Sequence, residues 1–340
     1  MKIITVNASK IYNITVTNGL GEFSSSVMPL IKGDKVAIIT DTNVSPIYFD
    51  AVKNLITNKT VEQIVITAGE ESKNATTYIE VANTLSKLGF TRKDTVIGLG
   101  GGVVGDLAAL VASTYMRGIN YIAMPTSLLS MVDSSVGGKT AINLDSGKNL
   151  LGTFFQPDAV YINVDFLNTL PKREVTCGLG EIMKYAFIDN RITKDAIEKA
   201  NYFDLIVKSL EIKRDIVEED EKESGKRMLL NFGHTLGHAI EKLSDYTLSH
   251  GECVIKGMYY ALNLSKNLGY LSESDYDNAV KFISLSGVTL NVEYCKEEIE
   301  NVIKNDKKFN GSEMNFVLTS GFGNAFVEKI KISDLVDKIW

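Results

Sequence analysis

All three histidines of this 340-residue chain, His234, His238 and His250, fall within the stretch NFGHTLGHAIEKLSDYTLSHGE at Asn231–Glu252. Neutral imidazoles brought together in this way are ligands for a divalent ion. Phe232, Leu236, Ala239, Ile240 and Leu243 recur at spacings near 3.6 residues, which predicts a helix with His234 and His238 on one face. Leu248–Glu252 interrupts that pattern before a second apolar helix, Val254–Leu268, so His250 falls where two helices meet. An isolated histidine is more often a satisfied or exposed side chain than a ligand. Three together, with carboxylates upstream, favour half of a metal site. Thr235 stands where the HExxH helix of a zinc protease needs Glu, so peptide hydrolysis is not expected.

Two further stretches could hold anions. Gly98–Asp106, GLGGGVVGD, follows an apolar run and opens a helical pattern, an arrangement in which backbone N–H groups and a helix N-terminus can meet a pyrophosphate. It departs from GxGxxG after a first strand, and a tight structural turn is the competing explanation. Asp133–Asn149 carries Lys139 and Lys148 with a glycine pair. These lysines could clamp a phosphate or simply decorate a β-hairpin. Its GGKT lacks the first glycine of GxxxxGK, since Asp133 is at that position, which disfavours phosphoryl transfer. In GLGEIMKYA at 178–186, Glu181 and Lys184 share a helix face, either as ligand and substrate contact or as a surface ion pair.

The elements that must position these groups divide the chain in two. Residues 1–165 alternate β-branched runs (Ile11–Val16, Val36–Thr40, Gln63–Ile66, Thr95–Leu99, Tyr121–Met124) with helical stretches such as Asn74–Leu88. This predicts a Rossmann-like α/β domain with a parallel sheet. Asp41, Gly69-Glu70, Gly100–Gly102 and Thr126 then fall at carboxyl ends of strands, where such sheets bind ligands. Residues 166–340 read as a mainly helical domain, with helices at Lys172–Ala186, Phe203–Glu219, Lys226–Tyr246, Gly251–Leu268, Ser272–Ser286, Lys296–Asn305 and Ser333–Ile339. A strand pair, Met314–Leu318 and Ala325–Lys329, is expected among them, and a cleft between the domains is the default site.

Composition sets outer bounds. Hydrophobic residues make up 44% of the chain and the net charge is −6, without a basic patch interleaved with aromatics, so nucleic acid is not an expected partner. Cys177, Cys253 and Cys295 are widely spaced without CxxC, which fits buried thiols in a reducing compartment. The start MKIITVNASK lacks a signal peptide's apolar block and no apolar run reaches ~18 residues. A soluble cytoplasmic protein without a membrane partner is expected.

Taken together, GGGVVGD at 100–106, DSSVGGKTAIN…GKNLLG at 133–152, GLGEIMKYA at 178–186, RMLLNFGHTLGHAIE at 227–241 and HGE at 250–252 resemble the 3-dehydroquinate synthase family, in order and with near-family spacing. The resemblance implies an NAD-dependent, Zn2+- or Co2+-requiring lyase. Such enzymes convert 3-deoxy-D-arabino-heptulosonate 7-phosphate to 3-dehydroquinate and phosphate by transient oxidation, β-elimination, re-reduction and intramolecular aldol closure, in the shikimate pathway to aromatic amino acids. Spacing alone would pair His234 with His238. The resemblance instead implies Glu181, His234 and His250 as metal ligands, with His238 facing substrate.

By the same resemblance, Lys139, Asn149, Lys184, Lys213, Glu223, Arg227 and Asn231 line the substrate, with one lysine of Asp306-Lys307-Lys308, Lys307 or its neighbour. Arg117 would reach the phosphate from a neighbouring subunit, which makes a homodimer functional. NAD would meet Asp41, Glu70, Lys73, Gly102, Val103, Val104, Gly105, Asp106, Thr126, Ser127, Lys139, Lys148 and the Phe166–Thr169 turn. Ala68, where the family commonly has proline, is one departure. Sister sugar-phosphate cyclases, a metal-dependent polyol dehydrogenase and a non-catalytic cofactor-binding protein are the competing readings. The full set of expected ligands and lysines disfavours the last.

Overall fold

The computed structural model describes residues 1–292, 294, 296–304, 313–331 and 338. Lys307, Lys308, Cys295 and, apart from Lys338, the helix expected at Ser333–Ile339 lie outside the described residues. The chain forms two compact units, residues 1–170 with 213–221, and residues 171–212 with 222–340.

The first unit contains strands β1 (Lys2–Asn7), β2 (Ile11–Thr17), β3 (Lys35–Asp41), β4 (Thr60–Ile66), β5 (Thr95–Gly100), β6 (Asn120–Pro125), β7 (Lys139–Leu144), β8 (Gly147–Phe154) and β9 (Ala159–Asn163). Its helices are α1 (Phe23–Ser26), α2 (Ser45–Lys53), α3 (Ala75–Lys87) and α4 (Gly102–Thr114). Seven strands form one sheet in the order β1-β2-β9-β6-β5-β3-β4. All its pairings are parallel except β1 with β2, where the chain returns directly across a short turn. β5, β6 and β9 are buried along their whole length, the pattern of central strands covered on both faces. The glycines of β5 let α4 approach, since a Cβ on Gly100 would come within 2.6 Å of Val104 and one on Gly98 within 3.1 Å of Ala108. β7 and β8 form a separate antiparallel hairpin.

The second unit is mainly helical: α5 (Lys172–Ile188), α6 (Lys194–Glu198), most of α7 (Tyr202–Glu219), α8 (His234–Leu243), α9 (His250–Asn267), α10 (Glu273–Ser284) and α11 (Lys296–Lys304). An antiparallel pair, β10 (Glu313–Thr319) and β11 (Ala325–Lys331), accompanies them. The last turns of α7, from Lys213, belong to the first unit.

One expected helix is broken. Lys226–Tyr246 reads as continuous, but the chain makes a 3-10 turn over Lys226–Asn231, extends at Phe232, and turns left-handed at Gly233 (φ +77°) before α8 begins. The cause is packing against α9: a Cβ on Gly257 would lie 1.9 Å from the Gly233 carbonyl oxygen. Apolar periodicity does not register that contact. Helix α8 also ends at Leu243, ahead of Asp245 and Tyr246, which both have positive φ. Among the described residues no helix is long and apolar enough to cross a membrane.

Candidate metal centre and anion-binding residues

In the second unit three elements deliver the metal-ligand candidates: Glu181 from the middle of α5, His234 from the first turn of α8, and His250 from the first turn of α9. Ser249 caps α9 in a reciprocal capping box, its hydroxyl accepting from the Glu252 N–H while the Ser249 N–H donates to the Glu252 carboxylate at 2.7 Å. The Glu of HGE is thereby committed to the helix start. Helices α5 and α9 touch backbone to backbone, because a Cβ on Gly251 would lie 2.0 Å from the Cys177 carbonyl oxygen and one on Gly180 would lie 2.6 Å from that of Gly251. That close approach brings Glu181 to His250.

Glu181 and Lys184 are fully buried, so the surface-pair alternative does not hold. The Lys184 ammonium donates to Glu181 Oε2 and lies 4.9 Å from the Tyr185 ring centroid. Glu181 Oε1 lies 3.4 Å from His234 Nε2 and 3.3 Å from His250 Nε2, yet among the described residues it has no hydrogen-bond partner. A buried oxygen left in this way is costly. A divalent cation fits the donor set, because ligands held about 2.0–2.2 Å from a tetrahedral ion sit about 3.4 Å apart.

The electrostatics of the cluster follow from its burial and its neighbouring charges. Burial alone would raise the Glu181 carboxyl, but Lys184 and the imidazole of His234 hold it well below the usual range. Burial lowers His234, outweighing its contact with Glu181. His250 is also pulled down by burial, but its contacts with Glu181 and Glu241 win and push it up to about 9. His238 lies on the exposed side of α8, with its ring centroid 5.8 Å from that of His250.

The other expected substrate residues of this unit lie just before α8. Arg227 is buried in the 3-10 turn. The Asn231 amide donates to Glu223 Oε1 at 2.7 Å, and Glu223 has φ +60°.

In the first unit the expected dinucleotide contacts gather at carboxyl ends of strands. Asp41 closes β3 and its Oδ1 accepts from the backbone N–H groups of Asn43 and Val44 at 2.8 and 2.9 Å. Gly102–Asp106 form the first turn and a half of α4, and Thr126 and Ser127 follow β6, with Ser127 bonded to Ser130. Lys73, 4% exposed, donates to Asp106 Oδ2 at 2.5 Å and to Asn149 Oδ1 at 2.6 Å. The Asn143 backbone N–H donates to the Lys73 carbonyl, and the Asn143 amide to Glu70. These bonds tie the β7–β8 hairpin to the Glu70–Lys73 turn. Burial pushes the Asp106 carboxyl up despite Lys73.

Several residues arrive differently from a simple contact list. The Phe166 ring is buried and packs on Tyr48 with centroids 4.3 Å apart, leaving its backbone as the means of contact. The Tyr48 hydroxyl bonds Thr169 Oγ1 at 2.5 Å. Lys139 and Arg117 are exposed, Arg117 in a strained turn with φ +66°, and Lys148 is half-buried on β8. Buried Lys213 pairs with Asp133 of its own unit, to the carboxylate at 2.8 Å and to the carbonyl at 2.5 Å. As partners, Asp133 and Glu241 carry no signal in the sequence. Asp133 opens the lysine-rich block, and Glu241 stands one helical turn after His238, but neither spacing names its partner.

The chain is similar to known proteins over nearly its whole length. Residues 63–177 match the model described as 3-dehydroquinate synthase N-terminal, and residues 178–309 match 3-dehydroquinate synthase C-terminal. A 3-dehydroquinate synthase of Thermoanaerobacter pseudethanolicus is 45% identical over 90% of this chain and 90% of that protein. One of Clostridium kluyveri is 40% identical over 98% of this chain and 97% of its own. Among solved structures, a 2-deoxy-scyllo-inosose synthase complexed with carbaglucose-6-phosphate, NAD+ and Co2+ superposes with a TM-score of 0.91 at 25% identity, covering 99% of each chain. With both halves matched in order and relatives at this identity spanning nearly its whole length, the chain belongs to the 3-dehydroquinate synthase family.

Proposed function

We propose that the protein is an NAD- and divalent-metal-dependent carbon–oxygen lyase that converts 3-deoxy-D-arabino-heptulosonate 7-phosphate into 3-dehydroquinate and phosphate. The observation that carries this reading is the meeting of Glu181, His234 and His250 around one buried carboxylate oxygen. Relatives at 40–45% identity bear the name of this synthase, whereas the sister cyclase structure is 25% identical, which favours this substrate over a related sugar phosphate.

Glu181, His234 and His250 would hold Zn2+ or Co2+, and the residues from Asp41 to Thr169 described above would hold NAD. Bound there, the metal supplies Lewis acidity and the nicotinamide a reversible hydride acceptor, so that oxidation is repaid by reduction within one turnover.

The chain's own side chains do the rest. The Lys184 ammonium keeps Glu181 ionised, which preserves an anionic ligand in a buried setting. Lys139, Lys184, Lys213 and Arg227 offer the cations that a substrate with a carboxylate and a phosphate requires on a net-acidic protein. Glu223 orients the Asn231 amide, whose remaining polar atoms then have a fixed direction for a substrate hydroxyl. His238, on the same helix as His234, stands next to the centre with an exposed imidazole suited to a phosphate. Asn149 would act beside Lys73, its side-chain partner.

In this reading residues 1–165 form the dinucleotide-binding domain and 166–340 the metal- and substrate-binding domain. The working form is a cytoplasmic homodimer in which Arg117 serves the neighbouring copy, with no nucleic-acid or membrane partner. The test is incubation of zinc-loaded protein with catalytic NAD+ and the heptulosonate phosphate, with and without chelator. Stoichiometric phosphate and dehydroquinate without net NADH, abolished by chelation, is the expected result. Accumulating NADH would indicate a dehydrogenase, and no product from folded, metal-loaded protein would point to a sister cyclase substrate.

A further inference from the structure

We infer that Glu241 is a positioning residue for the metal ligand His250, fixing which imidazole nitrogen faces the metal. The inference rests on the metal reading of Glu181, His234 and His250 and extends it to a residue outside that set.

The two imidazoles are held alike. His234 turns Nε2 toward Glu181 Oε1 at 3.4 Å and Nδ1 toward the Phe232 carbonyl oxygen at 3.2 Å. His250 turns Nε2 toward the same oxygen at 3.3 Å and Nδ1 toward Glu241 Oε2 at 3.4 Å. A neutral imidazole carries one N–H, and an acceptor at Nδ1 keeps the proton there, so the lone pair remains on Nε2 where a metal needs it.

The acceptors differ in kind. That of His234 is a carbonyl two residues earlier, supplied by the extended step at Phe232 before α8. His250 opens α9, and its own capping residue Ser249 is occupied by Glu252, so its acceptor comes from another helix: a carboxylate 8% exposed on the last turns of α8. Glu241 thereby carries a negative charge to the far side of a ligand and links α8 to the start of α9.

His238, Glu241 and His250 also have ligand atoms within 4.8 Å of one another. A second ion bound there would take Glu241 as a direct ligand. Its acceptor distance to Nδ1, in parallel with the Phe232 carbonyl at His234, favours the positioning role, and stoichiometry separates the two.

The test compares the full-length chain with Glu241→Ala, Glu241→Gln, His250→Ala and the Glu241→Ala/His250→Ala double variant. Zinc affinity is read by competition with a chromophoric chelator, bound metal by elemental analysis, and site geometry by the visible spectrum of the Co2+-loaded forms. Chemical unfolding of each metal-free variant checks the fold. The expected result is one ion per chain, an affinity about 10–100-fold weaker in Glu241→Ala, and partial rescue in Glu241→Gln, whose amide oxygen still accepts from Nδ1. The Co2+ spectrum should shift in Glu241→Ala, and the double variant should bind no more weakly than His250→Ala alone. Unchanged affinity and spectrum in Glu241→Ala, or additive losses in the double variant, would overturn the inference while leaving the metal centre intact. Two ions in the unmodified chain, with only the weaker lost in Glu241→Ala, would overturn it in favour of a second metal site. No zinc binding by the unmodified chain would overturn the metal reading itself, and this inference with it.

Discussion

Each compact unit sets a carboxylate against a buried lysine, and the two carboxylates respond in opposite directions. Asp106 of the first unit bonds Lys73 at 2.5 Å, yet burial prevails and pushes its carboxyl above the ordinary value. Glu181 of the second unit bonds Lys184 and is more deeply enclosed, its side chain 1% exposed against 20% for Asp106, yet it is held well below the ordinary value. The difference lies in the surroundings. Lys73 divides its bonds between Asp106 and the neutral Asn149 amide, and Glu70 adds a like charge. Glu181 has Lys184 on one oxygen and two imidazoles on the other. One bonded lysine, with a weaker pull from Lys213, does not offset burial at Asp106, whereas Lys184 and two imidazoles do at Glu181. The first arrangement suits a group that orders a loop, and the second suits an anionic metal ligand.

The strongest way to break this comparison is Glu181→Gln. Loss of metal retention and a fall of about a thousandfold in dehydroquinate formation, equivalent to about 4 kcal/mol, is expected from metal analysis and a phosphate-release assay. Retained metal with ordinary turnover would remove Glu181 from the centre.

Stability gives a second, smaller contrast. In the metal-free protein Glu181→Gln breaks a buried ion pair, at a cost of about 3–5 kcal/mol. Asp106→Asn removes a charge that burial disfavours, so it should cost less, about 1–2 kcal/mol by urea unfolding. Equal losses would erase the distinction between the two carboxylates.

Gly251→Ala sharpens the comparison by geometry alone, since it adds a methyl 2.0 Å from the Cys177 carbonyl oxygen and pushes α9 from α5. A cost of about 1–3 kcal/mol is expected in unfolding. Weaker zinc binding should accompany it, whereas NAD affinity, read by fluorescence titration, should stay unchanged.

The smallest effect concerns Asp94, whose environment isolates hydrogen bonding from ion pairing. Burial alone would raise it, but bonds from the N–H groups of Asp34, Lys35 and Thr91 and from the Thr91 hydroxyl hold it below its ordinary 3.8. A carboxyl lowered on folding adds stability above its unfolded value and loses it as pH falls through the folded one. Asp94→Asn should therefore cost about 1 kcal/mol near neutral pH, and the gap from the unmodified chain should close as pH drops below about 4. A gap that persists in acid would assign the cost to packing.

Much of the fold was legible because its periodicities are local. The buried strands β5 and β6 advertise themselves as apolar runs, and α3, read as Asn74–Leu88, forms over Ala75–Lys87 with Asn74 as its cap. The run Lys226–Tyr246 misled because its apolar spacing continues through Phe232 and Gly233, where contact with α9 imposes a turn. The strand Ala159–Asn163 carries no such signal, since four apolar residues before an asparagine, following a proline-containing loop, give no period by themselves.

By itself the sequence determined the chemistry available: three clustered histidines, a Glu and Lys three residues apart, glycines after a buried strand, and the motif order that marks the family. These follow from residue type and spacing along one chain. Only the tertiary structure decided that Glu181 faces His234 and His250, that Lys73 serves Asp106 and Asn149, and that Glu241 backs His250. Those partners lie on different elements, and the meeting at Glu181 and His250 depends on helix approaches that glycines at 180, 251 and 257 permit. Distance through space, which spacing within one helix cannot encode, selects which of the available groups act together.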